Sequence, residues 1–246
     1  MAPAVQESLY IIYLDAYHQG DDIFINELAQ RLHQAPAGDP LCMVVHGSGE
    51  KVERTLESQG LFPERVDGVL DVSEPDHIRL VERAVRETNQ KIVAAFTDEV
   101  VPTVGIQGVD RNLLQRDDEG ALSAHKVGWV EALLKQRVVP VVSALVDDAE
   151  GSFVREVDPA EAVVTLAEAF EAVDPAIVFF TTGPRPGLTD ADGVQEAVSV
   201  DALGDDGPLP RPEAVRRVVQ AGLPALITNL DGLFADGAPR GTRVDA

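Results

Sequence analysis

The sequence predicts an α/β fold, and three observations carry that prediction. Short apolar runs alternate along the chain with amphipathic stretches at helical spacing. Some runs, such as residues 41–45 (LCMVV), are apolar throughout, as strands covered on both faces are. The chain has 246 residues, 45% of them hydrophobic. That is enough to bury roughly 70% of its extended surface without disulfides or metal staples, in one large domain or two small ones.

Residues 9–14 (LYIIYL) read as the first strand. Asp21 and Asp22 introduce a helix whose Ile23, Phe24, Leu28 and Leu32 form one apolar stripe. A turn at 36–40 leads to the second strand, 41–45, which Gly47-Ser48-Gly49 breaks before a helix marked by Val52, Leu56 and Leu61. Residues 66–72 fit a short strand or an extended loop. Ile78, Val81, Val85, Ile92, Val93 and Phe96 make helical stripes running through Thr88-Asn89. Residues 100–106 give a third strand, where Pro102 argues for an edge or a bulge. A turn at 116–120, a helix at 127–136 and a buried strand at 138–145 (VVPVVSAL) follow. After an acidic turn at 147–151, Pro159 suits the first turn of a helix continued by Val163, Leu166, Ala167 and Phe170. A strand at 177–180 (IVFF) and a Gly/Pro loop at 182–192 come next. A stretch flexible by composition at 201–212, a helix at 213–221 and a last long strand at 225–228 (ALIT) complete the pattern.

Charge narrows the partners. Forty-two acidic residues against twenty basic ones give a formal charge of -22. Such a surface repels phosphate backbones and anionic lipid, so neither nucleic acid nor a membrane is expected as a partner. Lysine occurs only at Lys51, Lys91, Lys126 and Lys135. Acid-rich and lysine-poor together suit molar salt, where the screening length falls to about 3 Å; an ordinary acidic cytosolic protein is the alternative. Cys42 is the sole cysteine, which excludes an internal disulfide, and beside Met43 and Val44 it reads as a buried strand residue. Without a basic flank and apolar run at the start, or eighteen continuous apolar residues, a soluble cytoplasmic protein is expected.

Two glycine-marked turns are the candidate sites. His46-Gly47-Ser48-Gly49-Glu50 follows a buried strand, and its small residues let a ligand approach the backbone and the next helix's N–H groups. It has neither Walker A nor dinucleotide spacing and fits a tight structural turn equally well. Val104-Gly105-Ile106-Gln107-Gly108 precedes Asp110 and Asn112. Ligands in α/β sheets sit beyond the carboxyl ends of strands, so the two turns either line one crevice or are both structural. The five histidines lack metal-ligand spacing, and Ser48 lacks the G-x-S-x-G context of a hydrolase nucleophile. Asp147-Asp148 and Asp205-Asp206 read as solvated loop charge.

In order and spacing these segments resemble the amino acid kinase family, and most closely its N-acetylglutamate kinase branch. The likeness runs from residues 10–22 through His46 to Gly49, Gly105 to Asn112 and residues 128–142 (GWVEALLKQRVVPVV) to residues 214–244. It implies a three-layer αβα sandwich around a mostly parallel central sheet. An N-terminal lobe (1–137) would hold a small acidic N-acyl amino acid, and a C-terminal lobe (138–246) would hold ATP and Mg²⁺. One continuous sheet would join them, and a homodimer would form through the N-terminal half. The implied reaction is ATP-dependent phosphorylation of the acyl-amino-acid carboxylate. The implied substrate pocket is His46, Gly47, Ser48, Gly49 and Asn89, with a glycine turn at Gly105 and Gly108 and catalytic roles for Arg211 and Asp158.

Several of the family's charges are missing. Its first lysine and two glycines match Tyr13, Asp15 and Ala16; its substrate arginine matches Leu70; its organising aspartate matches Ala160. Its second lysine matches Arg211, and the lysine beside Asn89 falls on Gln90. Losing one donor at a developing charge costs about 10²–10³ in rate, so the departures together predict weak or absent phosphoryl transfer. Two expectations follow. One is a kinase with rearranged cations, using Arg211 or Lys51 and Mg²⁺ at Asp158 or Glu161. The other is a non-catalytic relative that binds a metabolite or a partner.

Overall fold

The computed structural model describes residues 7–246 except 37, 67, 118, 149–152, 192 and 206, and for Lys51 the backbone alone. Eight strands form one sheet: β1 (Glu7–Leu14), β2 (Leu41–His46), β3 (Thr103–Gln107), β4 (Val139–Ser143), β5 (Val173–Phe180), β6 (Ala197–Ser199), β7 (Ala225–Thr228) and β8 (Thr242–Asp245). Their order is β6-β8-β7-β5-β1-β2-β4-β3. The six strands from β7 to β3 are mutually parallel, and β8 runs antiparallel to β7.

The strand register decides what each face buries. Leu9, Ile11 and Tyr13 of β1 point with Met43, Val45, Ile177 and Phe179 toward α5 (Gly128–Lys135), α6 (Pro159–Ala169) and α7 (Pro212–Gln220). Ile12 and Leu14 point with Val44, Val178 and Phe180 toward α2 (Asp22–Gln34), α4 (Pro75–Asp98) and α8 (Leu230–Leu233). Both faces of β1, β2 and β5 are therefore covered, which is why these strands read as unbroken apolar runs. The result is the three-layer αβα sandwich.

Local structure departs from the sequence reading at several points. Asp15 caps an extra short helix, α1 (Ala16–Gly20), before α2 begins. In place of a single strand or loop at 66–72, Arg65–Val66 pairs antiparallel with Val69–Leu70. The stripes from Ile78 to Phe96 belong to one continuous 24-residue helix, α4. The third strand starts only at Thr103, after Pro102, and lies at the sheet edge as a proline there favours. The run 138–145 divides: β4 ends at Ser143, and Leu145–Asp147 turns away to pair with Val154–Glu156. Residues 149–151 of the acidic turn lie outside the described residues. β4, expected to open the second lobe, sits between β2 and β3. The 201–212 stretch is anchored by the buried Leu203 and Leu209; Asp206 lies outside the described residues, and Asp205 pairs with Arg216 at 2.7 Å.

Candidate functional site

β1 lies between β2, reached through α2 on one face, and β5, reached through α6 on the other. Chains leaving the carboxyl ends on opposite sides open a crevice at such a switch point. Here the crevice measures about 210 Å³ and takes its walls from the ends of β1 and β2, the 65–70 hairpin, and the starts of α6 and α7.

At the end of β1 the Tyr13 ring is buried against Phe179, centroids 5.2 Å apart. Burial pushes its phenol above the usual range, against the pull of Arg211. Asp15 accepts hydrogen bonds from the N–H groups of Tyr17 (2.9 Å) and His18 (3.0 Å), and its second oxygen meets His18 Nδ1 at 2.7 Å. A carboxylate is needed here to start α1. Ala16 also lines the crevice.

The β2 turn divides its residues. Gly47 and Ser48 line the crevice, whereas His46 is wholly buried behind them. Its Nδ1 lies 3.0 Å from the Gly47 carbonyl and its Nε2 lies 3.1 Å from Asn89 Nδ2. The amide nitrogen can only donate, so Nε2 accepts and Nδ1 carries the proton. Burial lowers the His46 pKa to about 4, outweighing the Gly47 carbonyl, which favours the charged form. Gly49 faces a wider groove of about 1040 Å³ between α1, α2, α3 (Glu50–Ser58) and α4.

Asn89 and the second glycine turn, expected at the ligand, do not line this crevice. Asn89 is buried beneath the sheet, its amide also donating to the Val141 carbonyl at 2.8 Å. It ties α4 to β2 and β4. Gly105 lies in mid-strand, where a Cβ would stand 2.3 Å from Asn89 Oδ1. At Gly108 a Cβ would stand 2.3 Å from the Leu145 carbonyl oxygen. Both glycines permit close packing, and β4 separates their strand from β2. The two turns do not share one crevice.

Glu156 closes the crevice floor. It is only 8% exposed, and its Oε1 accepts from the Ser48 N–H at 2.5 Å. Burial raises its pKa, while Ser48 and Arg65 oppose that rise. Gly47 makes this packing possible, since a Cβ there would lie 2.3 Å from Glu156 Oε1 and 2.6 Å from Pro159 Cγ. Gly47→Ala is expected to lower stability by about 1–3 kcal/mol, read as a shift in the urea midpoint. An unchanged midpoint would mean that the loop does not rest on α6 as described.

Asp158 caps α6, accepting from the Ala160 N–H at 3.1 Å, and its other oxygen lies 3.3 Å from Arg217 Nε. Ala160 itself is in the core. Arg211 pairs through Nε with Glu213, and its Nη2 is 3.9 Å from Asp158 Oδ1. Leu70 packs inward among Val52, Leu56, Val81 and Val85.

The cation that sequence reasoning missed is Arg65. Its Nη1 donates to the Gly68 carbonyl at 2.8 Å, its Nη2 lies 3.3 Å from Ser48 Oγ, and its Nε meets Glu53. Gly68 has φ +84°, and a Cβ on it would come within 2.5 Å of Arg211 Nη2. Two guanidinium groups thus converge on one glycine. The signal was Gly68 between short β-prone segments, since a glycine there frees the backbone for a tight turn.

Charge along the walls remains unfavourable to anions: Asp15, Glu50, Glu53 and Glu156 stand against Arg65 and Arg211. Lys91 lines the wider groove, where it pairs with Asp22. The side chain of Lys51 lies outside the described residues. Among the described residues no three His, Cys, Asp or Glu side chains converge to hold a metal, and no helix is long and apolar enough to cross a membrane.

Comparison with known proteins agrees with this architecture. The sequence pattern of the amino acid kinase family matches residues 15–229. The acetylglutamate kinase of Methanopyrus kandleri is 29% identical over 216 residues, covering 78% of this chain and 87% of that protein. That of Chloroflexus aurantiacus is 27% identical over 255 residues, covering 96% and 97%. Among solved structures, N-acetylglutamate synthase from Neisseria gonorrhoeae superposes with a TM-score of 0.69 at 15% identity, over 97% of this chain and 61% of that one. An isopentenyl phosphate kinase gives 0.65 at 15% identity, over 96% and 99%. These two establish the shared fold. With its family pattern running from Asp15 to Asn229, the chain belongs to the amino acid kinase family.

Proposed function

We propose that this protein binds a small metabolite in the crevice between β1, β2 and α6 and has lost efficient phosphoryl transfer from ATP to an acyl-amino-acid carboxylate. The end of β1 carries the reading. A transferring phosphoryl group needs positive charge around its oxygens and open backbone to cradle it. Tyr13 and Asp15 put a buried phenol and a capping carboxylate there instead.

The residues present do not fit ATP and Mg²⁺. Asp158 is already held by the α6 cap and Arg217, and Arg65 and Arg211 are each paired with a glutamate. At about 210 Å³ the crevice is also below the roughly 300–1,000 Å³ typical of sites for larger ligands. Buried Tyr13 and the apolar sheet preserve the fold, which needs none of the missing charges. The acidic, lysine-poor surface favours assay in concentrated potassium chloride.

The test is calorimetric titration under those conditions. ATP with Mg²⁺ is expected to give no binding heat above dilution. A saturable isotherm with a Kd in the micromolar range would overturn the reading.

A further inference from the structure

We propose that the wider groove between α1, α2, α3 and α4 is the contact face of a two-fold dimer, filled by the same face of a second copy of this chain. Dimerisation does not depend on what the crevice binds.

The groove holds about 1040 Å³ and is lined by eighteen residues. Each side of a stable protein interface contributes roughly 20–30 residues, so this face has nearly the extent that a dimer needs. Its floor follows a stripe on α4, where Leu80, Ala84, Thr88 and Lys91 succeed one another at helical spacing. Leu80 and Ala84 are half-buried there, packed against the cluster that contains Val52 of α3. Tyr17 and Ile23 stand on the α1–α2 wall, 53% and 71% exposed. One face thus carries both projecting and receiving apolar groups. A two-fold contact needs both, because the same surface serves each copy.

Charge selects the occupant. The chain carries 42 acidic residues against 20 basic ones, so two copies repel over most of their surface. The groove departs from that balance: Asp21, Asp22, Glu50 and Glu87 are met by Arg54, Arg83 and Lys91. Four carboxylates against three cations leave it almost neutral. A basic partner finds stronger attraction elsewhere on the acidic surface, whereas a second copy meets its least repulsive approach here. Arg83 and Glu87 are 71% and 55% exposed and stand 4.0 Å apart, at the limit of an ion pair. Across a two-fold axis each can meet the other's counterpart, so the pair is self-complementary. Molar salt shortens the screening length to about 3 Å and removes most of the repulsion left between two acidic bodies.

Ala16, Gln19 and Glu50 line both the groove and the crevice. A copy seated in the groove therefore walls the crevice on its α1 side. Resting on the reading of the crevice as a binding site, that makes ligand affinity depend on dimerisation.

The experiment is sedimentation equilibrium of the intact protein across potassium chloride concentrations up to the molar range. A monomer–dimer equilibrium is expected, with the dimer favoured as salt rises. Ile23→Asp should raise the dimer Kd by about tenfold or more, since a charge then enters the apolar contact twice per dimer. Ile23 lies mostly in water, so an unchanged urea midpoint should accompany that loss. Should the variant fail to fold, Arg83→Glu should raise the Kd by about threefold or more by setting a like charge against Glu87. A monomer at every salt concentration would overturn the proposal. So would a folded Ile23→Asp protein with an unchanged Kd, which would put the contact elsewhere, as on the free edge of β3. ATP binding is untouched by either outcome and is decided by the calorimetric titration alone.

Discussion

Asn89→Leu is expected to destabilise the protein by about 3–5 kcal/mol, a large part of the 5–15 kcal/mol typical of a folded domain. The substitution strands His46 Nε2 and the Val141 carbonyl oxygen, each buried and each served by the Asn89 amide. Each stranded group costs about 1–3 kcal/mol, and the bulkier branched side chain adds strain against Gly105, which already lies closely over Asn89 Oδ1. Urea denaturation should show a much lower midpoint with an unchanged slope. An Asn89 that served only a ligand would leave the midpoint where it is and change ligand affinity alone.

His46 gives the second large effect, and it depends on pH. Burial lowers its pKa from 6.5 to about 4 in the folded protein. Between these values the unfolded chain binds a proton that the native state refuses, so stability rises with pH across this window. The contribution is fully present above pH 6.5 and is lost as pH falls to about 4. A shift of that size corresponds to about 3 kcal/mol. Comparing the wild type with His46→Gln isolates it: the stability gap should be widest above pH 6.5 and narrow by about 3 kcal/mol on descending to pH 4. Burial raises the pKa of Glu156 and Asp158, so they act in the opposite direction. They do so in both proteins and cancel in the difference. A gap independent of pH would mean that His46 is not held neutral by the interior.

The sandwich was legible because its central strands are apolar on both faces, a pattern that sequence displays directly. The run LYIIYL announces β1, and the stripes from Ile78 to Phe96 announce α4. The site was only half legible. Tyr13, Asp15, Ala16, Gly47 and Ser48 do come together, because each lies at or just beyond the carboxyl end of a strand whose place the apolar pattern fixes. That Asn89 meets a carbonyl and lies off the crevice was not legible, because helical spacing does not say which partner a polar residue on a buried face finds. The close approach of Asn89 to Gly105 was not legible either, because a glycine that admits a ligand and one that admits a neighbouring amide look alike in sequence. Arg65 was missed because its role comes from a two-residue hairpin whose strands are too short for any periodicity. Glu156 was missed because the sharp turn after Ser143 carries no strong punctuation in Ala144-Leu145.

The most direct test of the account is release of ADP from ATP and Mg²⁺ in the presence of N-acetylglutamate, measured in molar potassium chloride with the purified protein. The expected result is no ADP above the protein-free background. Turnover at the roughly 1–10³ s⁻¹ of ordinary enzymes, abolished by Arg211→Ala, would contradict it and show that the arginines at Gly68 have taken over the missing lysines' work.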